Sequence, residues 1–215
     1  MSVECSMLAV APERCEALRA DPAGVKDEVI LRGTLGHLAG MASFRGEAAE
    51  AEVLAEIRGS RHLEMIEDPA MRRQMVELYA REDALVDAAL ARGDREPAFT
   101  LGTSWQYLSE ILSDGGEPAS AKHFFLGAPR FGEDVGYGPA GLHDPAAVTA
   151  FASYLGLWSP ERFAAAAEAR RLPTLGAASL PGMSPADLDA QLFLRFKTYI
   201  LDAAAARAGM LIWMS

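Results

Sequence analysis

Residues 188–214 read LDAQLFLRFKTYILDAAAARAGMLIWM, and this stretch decides the fold class. Apolar side chains in its first part recur at intervals of three and four, which is typical of a helix that packs one face on a core. They are Leu188, Leu192, Phe196, Tyr199 and Ala203. Gly209 ends the pattern, so we expect a helix over about 185–207. The apolar run at 210–214 is too short for a helix and predicts a buried strand.

A second short apolar run, Met7-Leu8-Ala9-Val10, stops before Pro12, which suits the first turn of a helix. We therefore expect a strand at 7–10 and a helix at about 13–20. Both apolar runs need partners for their backbone groups, so we expect them in one sheet. The predicted fold class is α+β: a mainly helical single domain over residues 1–215, with a small sheet that includes the N- and C-terminal strands.

Asp-Pro and Ser-Pro pairs predict the starts of further helices, because Asp or Ser caps the first turn and Pro fits its first position. The clearest such helix begins at Asp68-Pro69, carries an apolar stripe from Met71 to Leu90 and stops at Gly93. The same signal recurs at Asp144-Pro145, Ser159-Pro160 and Ser184-Pro185.

The region between the predicted helix at about 13–20 and Asp68 is less regular. A short helix is expected from Val25 to Leu31, and the glycines at 33, 36, 40 and 46 are expected to interrupt it. Residues 47–58 are rich in Ala, Glu and Leu and should be helical by propensity.

The composition is that of a globular protein: 215 residues, 50% hydrophobic and 23% charged. Twenty Lys and Arg against thirty Asp and Glu give a net charge of -10, which is the wrong sign for a nucleic-acid-binding protein. The same charge favours a basic protein partner. No run approaches the ~20 apolar residues that span a bilayer, so we expect no membrane insertion.

Two cysteines, Cys5 and Cys15, cannot form a disulfide framework, and their spacing matches no zinc or redox motif. The first residues do not read as a secretion signal. Together these features predict a cytoplasmic protein. No feature predicts an oligomeric state.

The most distinctive stretch is the Gly- and Pro-rich segment 127–141, which we expect to form a shaped loop with several tight turns. In one interpretation, Glu133, Asp134, Tyr137 and His143 line a binding or catalytic pocket. In the other, which we favour, Asp134 accepts local backbone N–H groups and Tyr137 packs. Glu133 is then the better functional candidate.

Trp105 is a further candidate contact residue, although it shares a helical face with Leu108 and Leu112, which favours a place in the core. Phosphate-loop, dinucleotide and nucleophile-elbow motifs do not occur. The four histidines are scattered, and only His62 and Glu64 form a close pair of potential ligands. We therefore predict no cofactor and no metal site.

Several strings resemble the YfbM-like family of bacterial proteins of unknown function. The most specific is GEDVGYGPA at 132–140, and the others are Ser104-Trp105, Phe125-Leu126-Gly127, Ser6-Met7-Leu8 and AGMLI at 208–212. The resemblance covers about 5–25 and 100–215. It implies an α+β fold with the chain ends close together and implies no established activity. The helical segment at about 30–98 departs from the family pattern.

Two functions follow from these observations. The favoured one is a non-catalytic protein-binding protein, such as an accessory or toxin-immunity-type partner that covers a basic surface. The alternative is a small enzyme or ligand-binding domain with its site at the Gly-rich segment 127–141, where a carboxylate acts as acid or base.

Overall fold

The computed structural model describes residues 3–45, 50–113, 121–170 and 185–215. Within them the strands are β1 (Cys5–Val10), β2 (Phe99–Gly102), β3 (Arg130–Asp134), β4 (Pro139–His143) and β5 (Gly209–Met214). The α-helices are α1 (Pro12–Ala20), α2 (Ala23–Arg45), α3 (Glu50–Gly59), α4 (Pro69–Ala91), α5 (Ser104–Leu112), α6 (Ala121–Leu126), α7 (Pro145–Gly156), α8 (Pro160–Ala169) and α9 (Pro185–Ala205). A 3-10 turn spans Leu63–Met65. The α+β class predicted from the sequence is confirmed.

The five strands form one antiparallel sheet in the order β2-β1-β5-β4-β3. Met7 lies opposite Ile212 and Leu8 opposite Leu211, so the predicted pairing of the two apolar runs is confirmed. All six residues of β5 are buried. Because neighbouring side chains point to opposite faces of a sheet, this burial means that both faces are covered, which explains the continuous apolar run.

Backbone pairing continues past the ends of these two strands. The N–H of Glu4 donates to the carbonyl of Ser215 at 2.8 Å, and the N–H of Ser215 donates back at 3.0 Å. The expectation that positions near the two ends of the sequence lie close together is therefore confirmed.

The predicted helix starts are confirmed by their caps. Asp68 accepts from the N–H of Ala70, Asp144 from that of Ala147 and Ser159 from that of Arg162. Ser184 lies outside the described residues, and α9 begins at the adjoining Pro185. Phe196 of α9 is fully buried and contacts Phe125 and Phe151, with ring centroids 5.6 and 6.1 Å away. Hence α9 is a central packing element, as predicted.

The chain divides into two compact units. The first, called the sheet unit here, comprises the residues up to Ala23 together with Phe99–Ser215 and contains all five strands. The second, called the helical unit, is Gly24–Ala98 and contains α3, α4 and nearly all of α2. The assignment of residues 1–215 to one domain stays a prediction.

The predicted interruption by Gly33, Gly36 and Gly40 is wrong, because α2 runs unbroken from Ala23 to Arg45. Gly46 lies outside the described residues. A helical glycine costs only about 1 kcal/mol, which packing along one face can offset. The buried face of α2 recurs at intervals of three and four and comprises Val25, Glu28, Leu31, Arg32, Leu35 and Leu38. Two of these residues, Glu28 and Arg32, are charged, so the apolar spacing in the sequence does not mark the whole buried face.

Candidate functional site

The sequence predicts a shaped loop with several tight turns for the Gly-rich segment 127–141, whereas the structure folds it mainly as a hairpin of β3 and β4. Glycine makes this pairing possible where backbones approach closely. A Cβ on Gly141 would lie 2.6 Å from the Cβ of Ala128, and a Cβ on Gly136 would lie 2.6 Å from the carbonyl oxygen of Met214. The turn of the hairpin is therefore held against the end of β5.

Asp134 organises that turn. Its Oδ1 accepts N–H groups from Gly136 at 2.8 Å and from Gly138 at 3.0 Å. Both glycines have positive φ, +147° and +95°, which a residue with a Cβ rarely adopts. This is the local backbone bonding expected from the sequence, so that interpretation of Asp134 is confirmed. Oδ1 of this carboxylate therefore has a structural role in the turn.

Glu133 and Tyr137 lie on the same hairpin, and both side chains are exposed. The backbone N–H of Tyr137 donates to the carbonyl of Met214 at 3.1 Å, which fixes the position of this residue. Tyr137 nevertheless retains 46% of its accessible surface, so the expectation that it packs is wrong. Glu133 and Tyr137 are the candidate residues that a ligand or partner could reach here.

His143 has a different environment, because it is buried at the end of β4. Its Nε2 donates to the carbonyl of Phe124 at 2.7 Å, and its ring stacks on that of Phe124 with centroids 4.6 Å apart. Burial lowers the pKa of His143, so the ring is held neutral near pH 7. These contacts make His143 a residue of the core.

Trp105 is also buried, on the face of α5 that carries Leu108 and Leu112. Its Nε1 donates to the carbonyl of Val3 at 2.9 Å, and its ring meets that of Phe125 edge-on. The only polar group of the indole is thereby satisfied within the fold. The core position favoured by the helical spacing is confirmed.

Other reactive groups are similarly enclosed or solitary. Burial raises the pKa of Cys5 to about 12 and also raises that of Cys15, which keeps both thiols protonated. In the described part of the chain, no group of three His, Cys, Asp or Glu side chains is placed to hold a metal ion. None of the helices in the described ranges is long and apolar enough to cross a bilayer.

The sequence did not reveal how little of residues 54–85 is covered. The structure describes every residue of this range and buries none of them fully. The range nevertheless holds large apolar side chains, namely Leu54, Ile57, Leu63, Met65, Ile66, Met71, Met75, Val76, Leu78, Tyr79 and Leu85. A predicted stripe along α4 includes several of them, but sequence spacing does not show where the covering helices stop.

The apolar residues nearest the start of α4 are the most exposed: Met65 retains 74% and Met71 54% of its accessible surface. Val76 is also exposed. The guanidinium of Arg72 bonds to the carbonyl of Ile66 at 3.0 Å, which holds the 3-10 turn close to the first turn of α4. We call Met65 and Met71 the methionine surface.

Ion pairs join the C-terminal half of α4 to two arginines at the end of α3 and just after it. Arg58 contacts Asp83 at 2.9 Å and Asp87 at 2.7 Å, while Arg61 contacts Glu82 at 3.0 Å. Acidic charge on this half of α4 is therefore neutralised locally. The exposed acidic residues before α4, Glu64, Glu67 and Asp68, lie beside the methionine surface in the sequence.

Comparison with known proteins gives a family without an assigned activity. Residues 1–174 match the family described as Domain of unknown function (DUF1877), and the matched range includes the helical unit. No curated protein and no solved structure matches the chain. Because the match covers most of the sequence, the chain belongs to the DUF1877 family.

Proposed function

We propose that this chain is a non-catalytic protein-binding protein, of an accessory or toxin-immunity type, and that its partner binds the methionine surface. The observation that carries the proposal is the incomplete cover of residues 54–85, where Met65 and Met71 stay more than half exposed. Apolar patches of this kind are typical of interaction sites. Methionine adapts its shape to different partners, because its side chain is unbranched and polarizable.

Charge supports a basic partner. Glu64, Glu67 and Asp68 are exposed next to Met65, and the whole chain carries a net charge of -10. A partner with a basic, partly apolar face would be steered by the long-range field and would bury the methionines at the centre of the interface. An amphipathic helix or a basic protein surface has this chemistry.

The alternative is a small enzyme or ligand-binding domain with its site at 127–141. The exposed pair Glu133 and Tyr137 supports it. However, the other candidates have structural roles: Asp134 bonds two backbone N–H groups, and His143 and Trp105 are buried and bonded to carbonyls. General acid–base catalysis requires a group that reaches the substrate, which weighs against His143.

The proposal also includes the narrower assignments made from the sequence. We propose that the chain is a YfbM-like bacterial protein that works in the cytoplasm as one domain over residues 1–215. The string GEDVGYGPA at 132–140 supports the first of these, and the two thiols at Cys5 and Cys15 agree with a reducing compartment.

The experiment compares three versions of the full chain as bait in cells of its native host. The wild type, the double variant Met65→Asp/Met71→Asp and the control Leu126→Asp each carry the same affinity tag. Leu126 is a matched control because it is an exposed leucine of the sheet unit. Captured proteins are quantified by mass spectrometry, after thermal melts have shown that all three fold.

We expect a basic protein that is captured by the wild type and the control but lost by more than about 10-fold with the double variant, since about 1.4 kcal/mol of lost binding gives that factor. Its capture should fall as salt is raised, because steering by opposite charges is screened. The proposal is wrong if the double variant captures the same proteins as the wild type.

A further inference from the structure

The outer face of α9 offers a second surface, on the sheet unit. The inner face of this helix is buried through Phe193, Phe196, Ile200 and Ala203. On the opposite face, Leu194 retains 44% and Leu201 39% of its accessible surface, although leucines at this spacing stand one above the other on a helix. Two leucines placed in this way are typical of a helix face that packs against a second helix.

The exposed residues around these leucines follow the spacing of a coiled-coil seam. Gln191, Leu194, Thr198, Leu201 and Ala205 are all exposed and recur at alternating intervals of three and four. We call these five residues the α9 seam. None of its members is charged, so a second helix can lie along it without desolvating an ion.

Two charged residues lie along one side of the seam. Arg195 follows Leu194, and Asp202 follows Leu201, so the two have equivalent positions in successive heptads. Both are exposed. In an antiparallel pair of identical helices, equivalent positions of this kind face each other. Arg195 of one copy then meets Asp202 of the second copy, and the reverse pair forms by symmetry.

The same register aligns the apolar residues. When Arg195 and Asp202 of the two copies are opposite each other, Leu194 is level with position 203 of the second copy, between its Leu201 and Ala205. Leu201 is then level with position 196 of the second copy, between its Leu194 and Thr198. Each leucine is therefore flanked by one leucine and one smaller residue of the second copy, and no charged residue enters the seam. Charge and shape specify one register, and the contact is its own complement.

On this basis we propose that the α9 seam is an interface between two copies of the chain, arranged antiparallel about a two-fold axis near Thr198. The opposite side of the seam agrees with this arrangement. Lys197 is the charged residue there, and its Nζ donates to the carbonyl of Trp158 in the same copy at 2.7 Å. This bond turns Lys197 away from Lys197 of the second copy. Leu157, next to Trp158 in the sequence, is also exposed.

A parallel dimer would use different charges. It would place Asp202 near Lys197 of the second copy, at the spacing that parallel coiled coils use, and would leave Arg195 without an acidic partner. The two arrangements therefore differ in whether Arg195 matters. This difference makes charge reversal the decisive test.

The experiment measures the monomer–dimer equilibrium of the full chain by sedimentation over a concentration series. We expect a weak dimer, because one helix pair buries less than the roughly 1,200–2,000 Å² of a standard interface. Leu194→Asp/Leu201→Asp should abolish it. Arg195→Asp and Asp202→Arg alone should each raise the dissociation constant by about 10-fold or more.

The double reversal Arg195→Asp/Asp202→Arg restores both ion pairs across the two-fold axis and should return the dissociation constant to within about 3-fold of the wild type. Leu126→Asp, at an exposed leucine outside α9, is the control and should leave the dissociation constant unchanged. Circular dichroism and thermal melts establish that each variant is folded. The proposal fails if the wild type is monomeric throughout, if Arg195→Asp has no effect, or if the double reversal does not restore dimers.

Discussion

The two units use different interactions to hold their helices together. In the sheet unit, aromatic rings contact one another across several elements, as Phe196 does with Phe125 and Phe151. In the helical unit, aliphatic side chains and ion pairs hold the helices together, and the first half of α4 has little cover. The comparison teaches that a substitution should alter stability in the first unit and partner binding at the edge of the second.

The largest difference is expected between a core phenylalanine and an exposed methionine. Phe196→Ala removes a fully buried ring and should lower the free energy of unfolding by about 3–5 kcal/mol. Met71→Ala should change it by less than about 0.5 kcal/mol. Urea unfolding of both variants checks this contrast, which is broken if the Phe196 variant loses less than about 1 kcal/mol.

The helical unit has its own sensitive position at Arg32. This buried guanidinium bonds Glu28 at 2.7 Å and both oxygens of Asp94, at 2.6 and 2.8 Å. Arg32→Met removes a buried cation that bonds both Glu28 and Asp94, so we expect a loss of about 3 kcal/mol, the lower end for a broken buried pair.

Hydrogen exchange measures that loss in the helical unit directly. Amides of α2 should exchange faster in Arg32→Met, while those of β5 keep their protection. Arg73→Met, which removes an exposed arginine of the same unit, is the control and should leave exchange unchanged. Equal exchange in both variants would show that the ion pairs do not stabilise this unit.

His143 gives the sheet unit a dependence on pH. Burial lowers its folded pKa, whereas the unfolded chain binds a proton near pH ~6.5. Below that pH the unfolded state takes up a proton that the folded state resists, so stability falls as pH falls, by at most about 1.4 kcal/mol per unit. Above it, this contribution is fully present. His143→Leu should show a flatter decline between about pH 7 and 5 in urea titrations.

A steeper decline in the leucine variant, or one parallel to the wild type, would contradict the assignment of this slope to His143. The general acid sensitivity of the chain's many carboxylates is common to both proteins and cancels in their difference. The measurement therefore isolates one buried imidazole.

The smallest effects concern the hairpin turn. Asp134→Ala removes two bonds to backbone N–H groups and should cost about 0.5–2 kcal/mol, as caps of this kind do. Glu133→Gln should stay within about 0.5 kcal/mol of the wild type. Thermal melts test the difference, and binding of the captured partner is measured on the same samples. If Glu133→Gln melts normally but loses binding, the site at 127–141 gains support over the methionine surface.

Local signals in the sequence were enough for the elements whose residues act locally. The caps Asp68, Asp144 and Ser159 and the stripe of α9 depend on neighbours within a few positions, so they could be predicted. Pairing of β1 with β5 followed from the need of two apolar runs for partners. The continuous α2 could not be predicted, because the burial of Arg32 depends on contacts with Asp94 and Glu96, far along the chain.

The same reasoning explains the candidate site. Asp134 bonds residues two and four positions away, so its role was visible in the sequence. His143 bonds the carbonyl of Phe124, and its burial depends on how β4 pairs with β5. Exposure of Met65 and Met71 depends on where α2 and α3 end, which spacing along α4 does not encode.

The central place of β5 in the sheet has a consequence for synthesis. This strand pairs with β1 on one side and β4 on the other, yet it is made after every other strand. The sheet cannot close until residues 209–214 have left the ribosome, so the side of β1 that pairs with β5 waits while all the residues between these two strands are made. The helices of Gly24–Ala98 contact each other over shorter distances along the chain and can associate earlier.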